Sequence, residues 1–180
     1  MAYSSVSPCI FLDRDGVINC DRVNYAYRLE DFVILPQVPE ALRCLKRAGY
    51  TLVIVTNQSG IAKGIYTREQ MQSCHDYLNE VTGHVIDRIY YAPHHPSVSE
   101  SLTRKPDSLM FERAIARFNV DVARSWMIGD NERDLVPAQK LGIPGILIDE
   151  GQEATIAQAR VSGLWEAAEW ILARDSQPGG

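Results

Sequence analysis

Asp13 and Asp15 stand two residues apart, directly after the apolar run Cys9-Ile10-Phe11-Leu12 and directly before Gly16. Such a run reads as a buried strand, and residues i and i+2 of a strand share a face. Two carboxylates on one face repel each other unless a cation lies between them or one of them is protonated. A hard, oxygen-seeking ion such as Mg²⁺ is the natural occupant. Gly16 lets the backbone turn away sharply. The plainer alternative is a helix-capping aspartate with a chance neighbour.

Three later stretches bear on that choice. Thr56-Asn57-Gln58-Ser59-Gly60 follows the apolar run Thr51-Leu52-Val53-Ile54-Val55. Arg104-Lys105-Pro106 precedes a helical pattern, and Gly129-Asp130-Asn131-Glu132-Arg133-Asp134 follows Ser125-Trp126-Met127-Ile128. Together, Asp13, Asp15, Asp130 and Asp134 supply carboxylates for Mg²⁺. Lys105, Arg104, the Thr56 hydroxyl and turn N–H groups supply an anion site. A metal beside an anion cradle describes phosphoryl transfer, where catalysis is mainly positioning and charge stabilisation. No G-x-x-x-x-G-K-[ST] loop is present, so a nucleoside triphosphate is not the obvious ligand. A carboxylate can itself be the nucleophile, through an aspartyl-phosphate. The second aspartate can then protonate the leaving oxygen and later activate water.

These stretches need elements to hold them. Strands are expected at 9–13, 51–55, 85–92, 125–128 and 143–148, and helices at 36–49, 67–82, from Asp107 or Ser108 to Phe118, up to Leu141, and at 164–174. Apolar runs mark the strands and helical spacing marks the helices. Thr67 with Gln70 reads as a capping box. Residues 16–35 form a long loop without a clean period, of a length that is usually functional or mobile. Strand and helix alternate throughout, which predicts an α/β fold with a doubly wound parallel sheet and right-handed crossovers. Every chemically loaded stretch falls at the carboxyl end of a strand, where ligands bind in such sheets.

Composition bounds the rest. At 180 residues, 46% hydrophobic and 23% charged, the sequence suits a single soluble domain over 1–180, with a disordered tail at 175–180. The net charge of −5 argues against a nucleic-acid partner. No apolar run approaches a membrane span and no signal-peptide pattern is present. The four cysteines form no CxxC pair, and Cys9 and Cys44 sit in apolar patterns as small buried hydrophobes. A reduced, cytoplasmic protein without disulfides is expected. Without an obvious apolar seam, a monomer is expected. Trp126, Trp165 and Trp170 read as packing residues, and His94 and His95 as turn and packing residues.

At these motifs the sequence resembles the haloacid dehalogenase (HAD) superfamily of phosphatases. The resemblance covers about residues 9–150, in order, and implies a Rossmann-like core with a minimal cap made of loops. The finer wording resembles the D-glycero-D-manno-heptose-1,7-bisphosphate 7-phosphatases, with histidinol-phosphate phosphatases as close relatives. It is carried by Phe11-Leu12-Asp13-Arg14-Asp15-Gly16-Val17-Ile18-Asn19, Thr56 to Ala62, Tyr91-x-Pro93-His94-His95-Pro96 and Arg104-Lys105-Pro106.

The resemblance implies an Mg²⁺-dependent sugar phosphatase. Asp13 would be nucleophile and metal ligand. Asp15 would be general acid/base and give its backbone carbonyl to the metal. Asp130 would be the third protein ligand. Thr56 and Lys105 would stabilise the transferring phosphoryl group. Arg104 would contact the distal part of the substrate or serve as a structural ion-pair partner. Arg14, Asp21, Tyr25, Asn57, Gln58, Ser59 and Asn131 would complete the substrate site. Asp134 would support the metal ligands from behind or compensate a helix N-terminus.

Two departures stand out. Relatives often hold a structural zinc in the loop after the third strand through cysteines; here Ala92 and Ser101-Leu102-Thr103 occupy those positions. His94 with serine and threonine is not a tetrahedral zinc site, so no zinc is expected. Relatives often carry a lysine after the third metal-binding aspartate, where this chain has Asn131. A rival of another class, a receiver-like phospho-accepting signalling domain, shares the acidic chemistry and the doubly wound sheet. There the phosphorylated aspartate follows a later strand, whereas here the candidate nucleophile lies in the first strand's acidic pair.

Overall fold

The computed structural model describes residues 6–97 and 101–176. β1 (Cys9–Leu12) is buried along its whole length. β2 (Thr51–Asn57) and β4 (Trp126–Gly129) flank it in parallel, with Phe11 opposite both Val53 and Met127. β3 (Arg88–Ala92) lies beyond β2; β5 (Gly145–Ile148) and β6 (Ala159–Val161) lie beyond β4. The six strands run β3-β2-β1-β4-β5-β6, all parallel. Apolar runs suit such central strands because both of their faces are covered.

Helices cover the two faces. On one face Ile10, Leu12, Leu52 and Ile54 pack with α1 (Val38–Arg47), α2 (Arg68–Thr82) and α5 (Leu164–Asp175), through Leu42, Leu45, Cys74, Leu78, Ala168 and Ile171. On the other face Phe11, Val53, Val55 and Met127 pack with α3 (Leu109–Phe118) and α4 (Glu132–Lys140), through Phe111, Ala114, Leu135 and Ala138. This is the expected doubly wound α/β fold. Its strand order reverses between β1 and β4, and there the edges leave a crevice.

The boundaries differ where local chemistry overrides pattern. β2 runs on through Thr56 and Asn57, because both pair with β3 opposite Tyr91 and Ala92. Expected strand residues 85–87 lie before β3; there Asp87 Oδ2 accepts from the Leu52 N–H at 2.8 Å and from Lys46 Nζ at 2.5 Å. The capping box of α2 forms, with Thr67 and Gln70 bonding reciprocally. β6 has no counterpart in the sequence-based expectation, since three edge residues, two of them half-buried, give no apolar run. Asp175 and Ser176, expected in a tail, instead close α5; 177–180 lie outside the described residues.

The cysteines are free thiols; Cys9 and Cys74 are buried, while Cys44, expected to be buried, is half-buried. Trp126 and Trp170 meet edge to face at 5.1 Å.

Candidate active site

Asp13 directly follows β1, and its N–H donates to the Ile128 carbonyl of β4 at 2.9 Å. Asp130 directly follows β4, and Asp134 sits in the first turn of α4. The reversal of strand order thus brings three carboxylates together. One oxygen from each of Asp13, Asp130 and Asp134 lies within 4.8 Å of the others. Gly16 makes room for this: a Cβ there would stand 2.2 Å from Asp130 Oδ2, and its φ of +81° is in the left-handed region.

Lys105 enters the same cluster. Its Nζ lies 2.7 Å from Asp13 Oδ1 and 2.8 Å from Asp134 Oδ1, with lysine and Asp134 both buried. Burial works against the ammonium charge, but Asp13 and Asp134 outweigh it and raise the Lys105 pKa. Burial pushes Asp13 up to about 6; Lys105 opposes the rise, and Asp134 and Asp15 add to it. Burial, then the Asp13 and Asp134 charges, push Asp130 up to about 7. One lysine therefore faces three carboxylates, and Asp134 Oδ2 is buried without a hydrogen-bond partner. This donor set, all oxygen and short of positive charge, fits a hard divalent ion. It is the one group of three or more His, Cys, Asp or Glu side chains placed to hold a metal among the described residues.

The cluster forms the floor of a cavity of about 290 Å³. Asp13, Asp15, Asp21, Tyr25, Thr56, Asn57, Ser59, Arg104, Lys105, Asp130 and Asp134, all expected site residues, line it. Asn57 ties the lysine down: its Oδ1 accepts from the Lys105 N–H and its Nδ2 donates to the Lys105 carbonyl. Tyr25 reaches in from the long loop with a φ of 64°, and its hydroxyl accepts from Lys63 Nζ at 3.0 Å. That lysine, ahead of other neighbours, lowers the Tyr25 pKa.

Three expected substrate residues do not line the cavity. Arg14 is 1% exposed and turned inward. Its Nη2 donates to Asp15 Oδ1 at 2.8 Å, to Asp15 Oδ2 at 3.0 Å and to the Ala26 carbonyl at 3.1 Å. The guanidinium lies 5.3 Å from the Phe32 ring centroid. His75 faces it at 3.4 Å; burial, then Arg14, push that imidazole down to about 3, so it is neutral and can accept. Gln58 is buried and bonds Asp15, Thr56 and Tyr66. Asn131 caps α4, accepting from the Arg133 N–H at 3.1 Å.

Asp15 is held more tightly than its motif suggests. Burial would raise its pKa, but Arg14, Asn19 and Gln58 outweigh burial and lower it. Asp134, expected behind the metal ligands or as a helix-terminus charge, lies buried in the first turn of α4, close to Asp13 and Asp130, and pairs with Lys105.

Sequence reasoning missed Lys63, His95 and Arg133, which line the cavity; Arg22, which lines it too, lies in the loop Asp21–Tyr25 expected at the sugar site. Only Arg133 had a local signal, since it precedes Asp134 in the acidic motif. Arg104 donates to the His94 carbonyl at 3.3 Å, and its pKa is lowered by burial and then by Arg133. In the expected zinc-loop region Ala92 is buried in β3, and the Ser101 and Thr103 hydroxyls meet at 2.8 Å.

A family profile described as HAD-hydrolase-like matches residues 102–165. The D-glycero-beta-D-manno-heptose-1,7-bisphosphate 7-phosphatase of Haemophilus ducreyi is 40% identical over 156 residues, covering 81% of this chain and 85% of its own. The protein of the same name from Photorhabdus laumondii is 41% identical over 168 residues, 87% of this chain and 88% of its own. The crystal structure of the D,D-heptose 1,7-bisphosphate phosphatase from B. bronchiseptica, complexed with magnesium and phosphate, superposes with a TM-score of 0.83 at 29% identity, covering 93% of this chain and 99% of that one. A parallel sheet with its acidic cluster at the strand reversal and relatives at this identity agree: the chain belongs to the HAD-like hydrolase family of phosphatases, on the branch that includes the heptose-1,7-bisphosphate 7-phosphatases.

Proposed function

We propose that this enzyme removes the 7-phosphate from D-glycero-β-D-manno-heptose 1,7-bisphosphate, with Asp13 as nucleophile and Mg²⁺ as cofactor. The observation that carries the reading is Lys105 bridging Asp13 and Asp134 beside Asp130 at the strand reversal. The relatives named above supply the substrate and the anomer.

Asp13, Asp130 and Asp134 would hold the metal, together with the Asp15 backbone carbonyl. When bound, Mg²⁺ neutralises carboxylate charge and polarises a phosphoryl oxygen. A carboxylate oxygen of Asp13 attacks phosphorus, and the bond to the sugar oxygen breaks. Asp15 donates a proton to that leaving oxygen. It then takes a proton from water, whose oxygen attacks the phosphorus of the aspartyl-phosphate; inorganic phosphate leaves and Asp13 is restored. In the free enzyme Asp15 is ionised, as the base step requires. A phosphate dianion beside it raises its proton affinity, as any like charge does, and favours the acid form before the first step. Lys105 and the Thr56 hydroxyl stabilise charge on the transferring group.

A bisphosphate also needs a second anion site. Arg104, Arg133, Lys63 and Arg22 line the cavity beside the acidic cluster, and burial, with Arg133 close by, lowers the Arg104 pKa. We assign the distal phosphate to these cations and the sugar to Asp21, Tyr25 and Ser59. Histidinol phosphate, the alternative substrate, carries one phosphate and would offer these cations no second anion. The receiver-like reading is set aside because the relatives are hydrolases. The whole chain is taken as one catalytic unit acting as a cytoplasmic monomer, with no zinc; Ser101–Thr103 and the Arg104–His94 contact would hold the loop instead.

The test is phosphate release from both anomers of heptose 1,7-bisphosphate and from histidinol phosphate, with and without Mg²⁺. Mg²⁺-dependent preference for the β anomer is expected. Preference for histidinol phosphate would overturn the substrate, and full activity in chelator would overturn the cofactor.

A further inference from the structure

Thr56 has to donate its proton if it is to stabilise a phosphoryl oxygen, yet a hydroxyl can equally accept. What decides its direction is a buried chain of hydrogen bonds. Gln58 Nε2 lies 3.0 Å from Asp15 Oδ2 and 3.0 Å from Thr56 Oγ1. Arg14 and Asn19 donate to the Asp15 carboxyl, whose oxygens face them as acceptors, so the side of the amide placed against Asp15 Oδ2 is the nitrogen. Gln58 Oε1 therefore faces Tyr66, whose hydroxyl donates to it at 2.6 Å. The second amide proton goes to Thr56 Oγ1, which accepts it and keeps its own proton for the cavity it lines.

The chain is built in from both ends. Asp15 is anchored by Arg14 and by Asn19, whose Nδ2 donates to Asp15 Oδ1 at 2.9 Å. Tyr66 is buried and stacks on Tyr27 at 5.0 Å. A Cβ at Gly60 would stand 2.1 Å from Tyr66 Cε1, so only a glycine lets the ring press against this turn.

We propose that Gln58 and Tyr66 are positioning residues: together they orient the Thr56 hydroxyl as a donor to the transferring phosphoryl group. Tyr66 holds the Gln58 amide, and the amide holds the hydroxyl. This rests on the phosphatase reading above. Without the Tyr66 hydroxyl, the carbonyl end of Gln58 is buried unsatisfied and the amide can rotate. The Thr56 proton can then turn onto the amide oxygen and be lost to the substrate.

The experiment measures binding of orthovanadate in MgCl₂ by titration calorimetry, and kcat and KM on the heptose bisphosphate. The proteins are the wild type, Tyr66→Phe, Gln58→Met, Thr56→Ala and the double variant Thr56→Ala/Tyr66→Phe. Tyr66→Phe is expected to weaken orthovanadate binding and lower kcat by about tenfold, one hydrogen bond's worth, while KM changes less. Gln58→Met, which keeps the side-chain length and removes the amide, is expected to do the same. In the Thr56→Ala background, Tyr66→Phe should cost no more than about twofold, because the hydroxyl it orients is gone. Equal losses in both backgrounds, or unchanged vanadate binding in Tyr66→Phe and Gln58→Met, would overturn the proposal. Failure of the wild type to hydrolyse any phosphomonoester would overturn the phosphatase reading instead, and the vanadate titrations would still decide the relay.

Discussion

Asn57 grips the backbone of Lys105 twice: its Oδ1 accepts from the Lys105 N–H at 3.0 Å, and its Nδ2 donates to the Lys105 carbonyl at 3.2 Å. The last residue of β2 thereby fixes a lysine 48 positions later, whose own side chain spans Asp13 and Asp134. A side-chain amide can present donor and acceptor together to a peptide group, which few other side chains can do. Asn57→Ala should cost about 2 kcal/mol, roughly 1 for each neutral hydrogen bond. For a domain of this size that is a fall in Tm of about 4–8 °C. kcat should fall further than this loss of stability explains, because Lys105 is no longer held. Calorimetry beside steady-state kinetics checks it; an unchanged kcat would show that Lys105 needs no such anchor.

Asp13→Asn should lower kcat by at least about 1,000-fold, since an amide is no nucleophile toward phosphorus. The metal-free fold should survive and gain stability near pH 8. Burial and the neighbouring carboxylates push the Asp13 pKa up to about 6, so its charge is a burden there. Circular dichroism and phosphate release on one sample test both halves. Substantial residual turnover would remove Asp13 from the nucleophile's role.

Gly16→Ala should damage the metal site through space. The new Cβ would stand 2.2 Å from Asp130 Oδ2 at a φ of +81°. The left-handed conformation alone costs a non-glycine residue about 1–2 kcal/mol. We expect the Mg²⁺ concentration for half-maximal activity to rise at least about tenfold, as a ligand displaced by a methyl group implies. An Mg²⁺ titration identical to that of the wild type would refute the close approach.

Mg²⁺ should stabilise the protein more at pH 8 than at pH 5. Asp13 and Asp130 have folded pKa values of about 6 and about 7, above the ordinary 3.8. Between these limits the folded state holds protons that the unfolded chain releases, so their contribution to stability falls as pH rises. At pH 8 the carboxylates are ionised and repel, and a bound cation relieves the repulsion. At pH 5 protons already do so and compete with the metal. His75 runs the other way: its pKa is about 3 when folded and 6.5 ordinarily, so its contribution is lost as pH falls below 6.5. His75 lies outside the carboxylate cluster and drops out of the difference between samples with and without MgCl₂. Equal Tm gains at both pH values would contradict the assignment.

Arg104→Ala and Arg133→Ala should each weaken use of the bisphosphate more than of a monophosphate. Both arginines line the cavity. Removing a charge-assisted hydrogen bond to a phosphate should cost about 1.5–3 kcal/mol, or roughly 10- to 100-fold in kcat/KM. Parallel assays on heptose 1,7-bisphosphate and the 7-monophosphate check this. Equal losses on both substrates would place these arginines outside a distal phosphate site.

How much of this was legible in advance follows from the range of each interaction. Parallel strands covered on both faces must be apolar runs, so β1, β2 and β4 stand out, with Asp13, Thr56 and Asp130 at or just past their ends. The α2 cap is legible because Thr67 and Gln70 bond within one turn. β6 is not, because an edge strand of three residues carries no periodicity. Arg14, Gln58 and Asn131 sit inside the right motifs, yet none lines the cavity. The directions of Arg14 and Gln58 depend on Ala26 and Tyr66, which residue types alone do not pair with them, whereas Asn131 is taken up by a local cap on the Arg133 N–H.

The sequence by itself determined the kind of chemistry: four carboxylates, a lysine and a hydroxyl at the ends of parallel strands, with family wording that names a phosphatase. Residue type sets charge and hydrogen-bonding capacity, and local pattern sets strand ends. Only the tertiary structure decided that Asp134 joins Asp13 and Asp130 while Asp15 is locked to Arg14. It alone brought Arg22, Lys63, Arg104 and Arg133, from four separate segments, to one cavity. The reason is that coordination and ion pairing act over a few ångströms. Groups tens of residues apart come that close only once the strand order and the packing on both faces of the sheet are fixed.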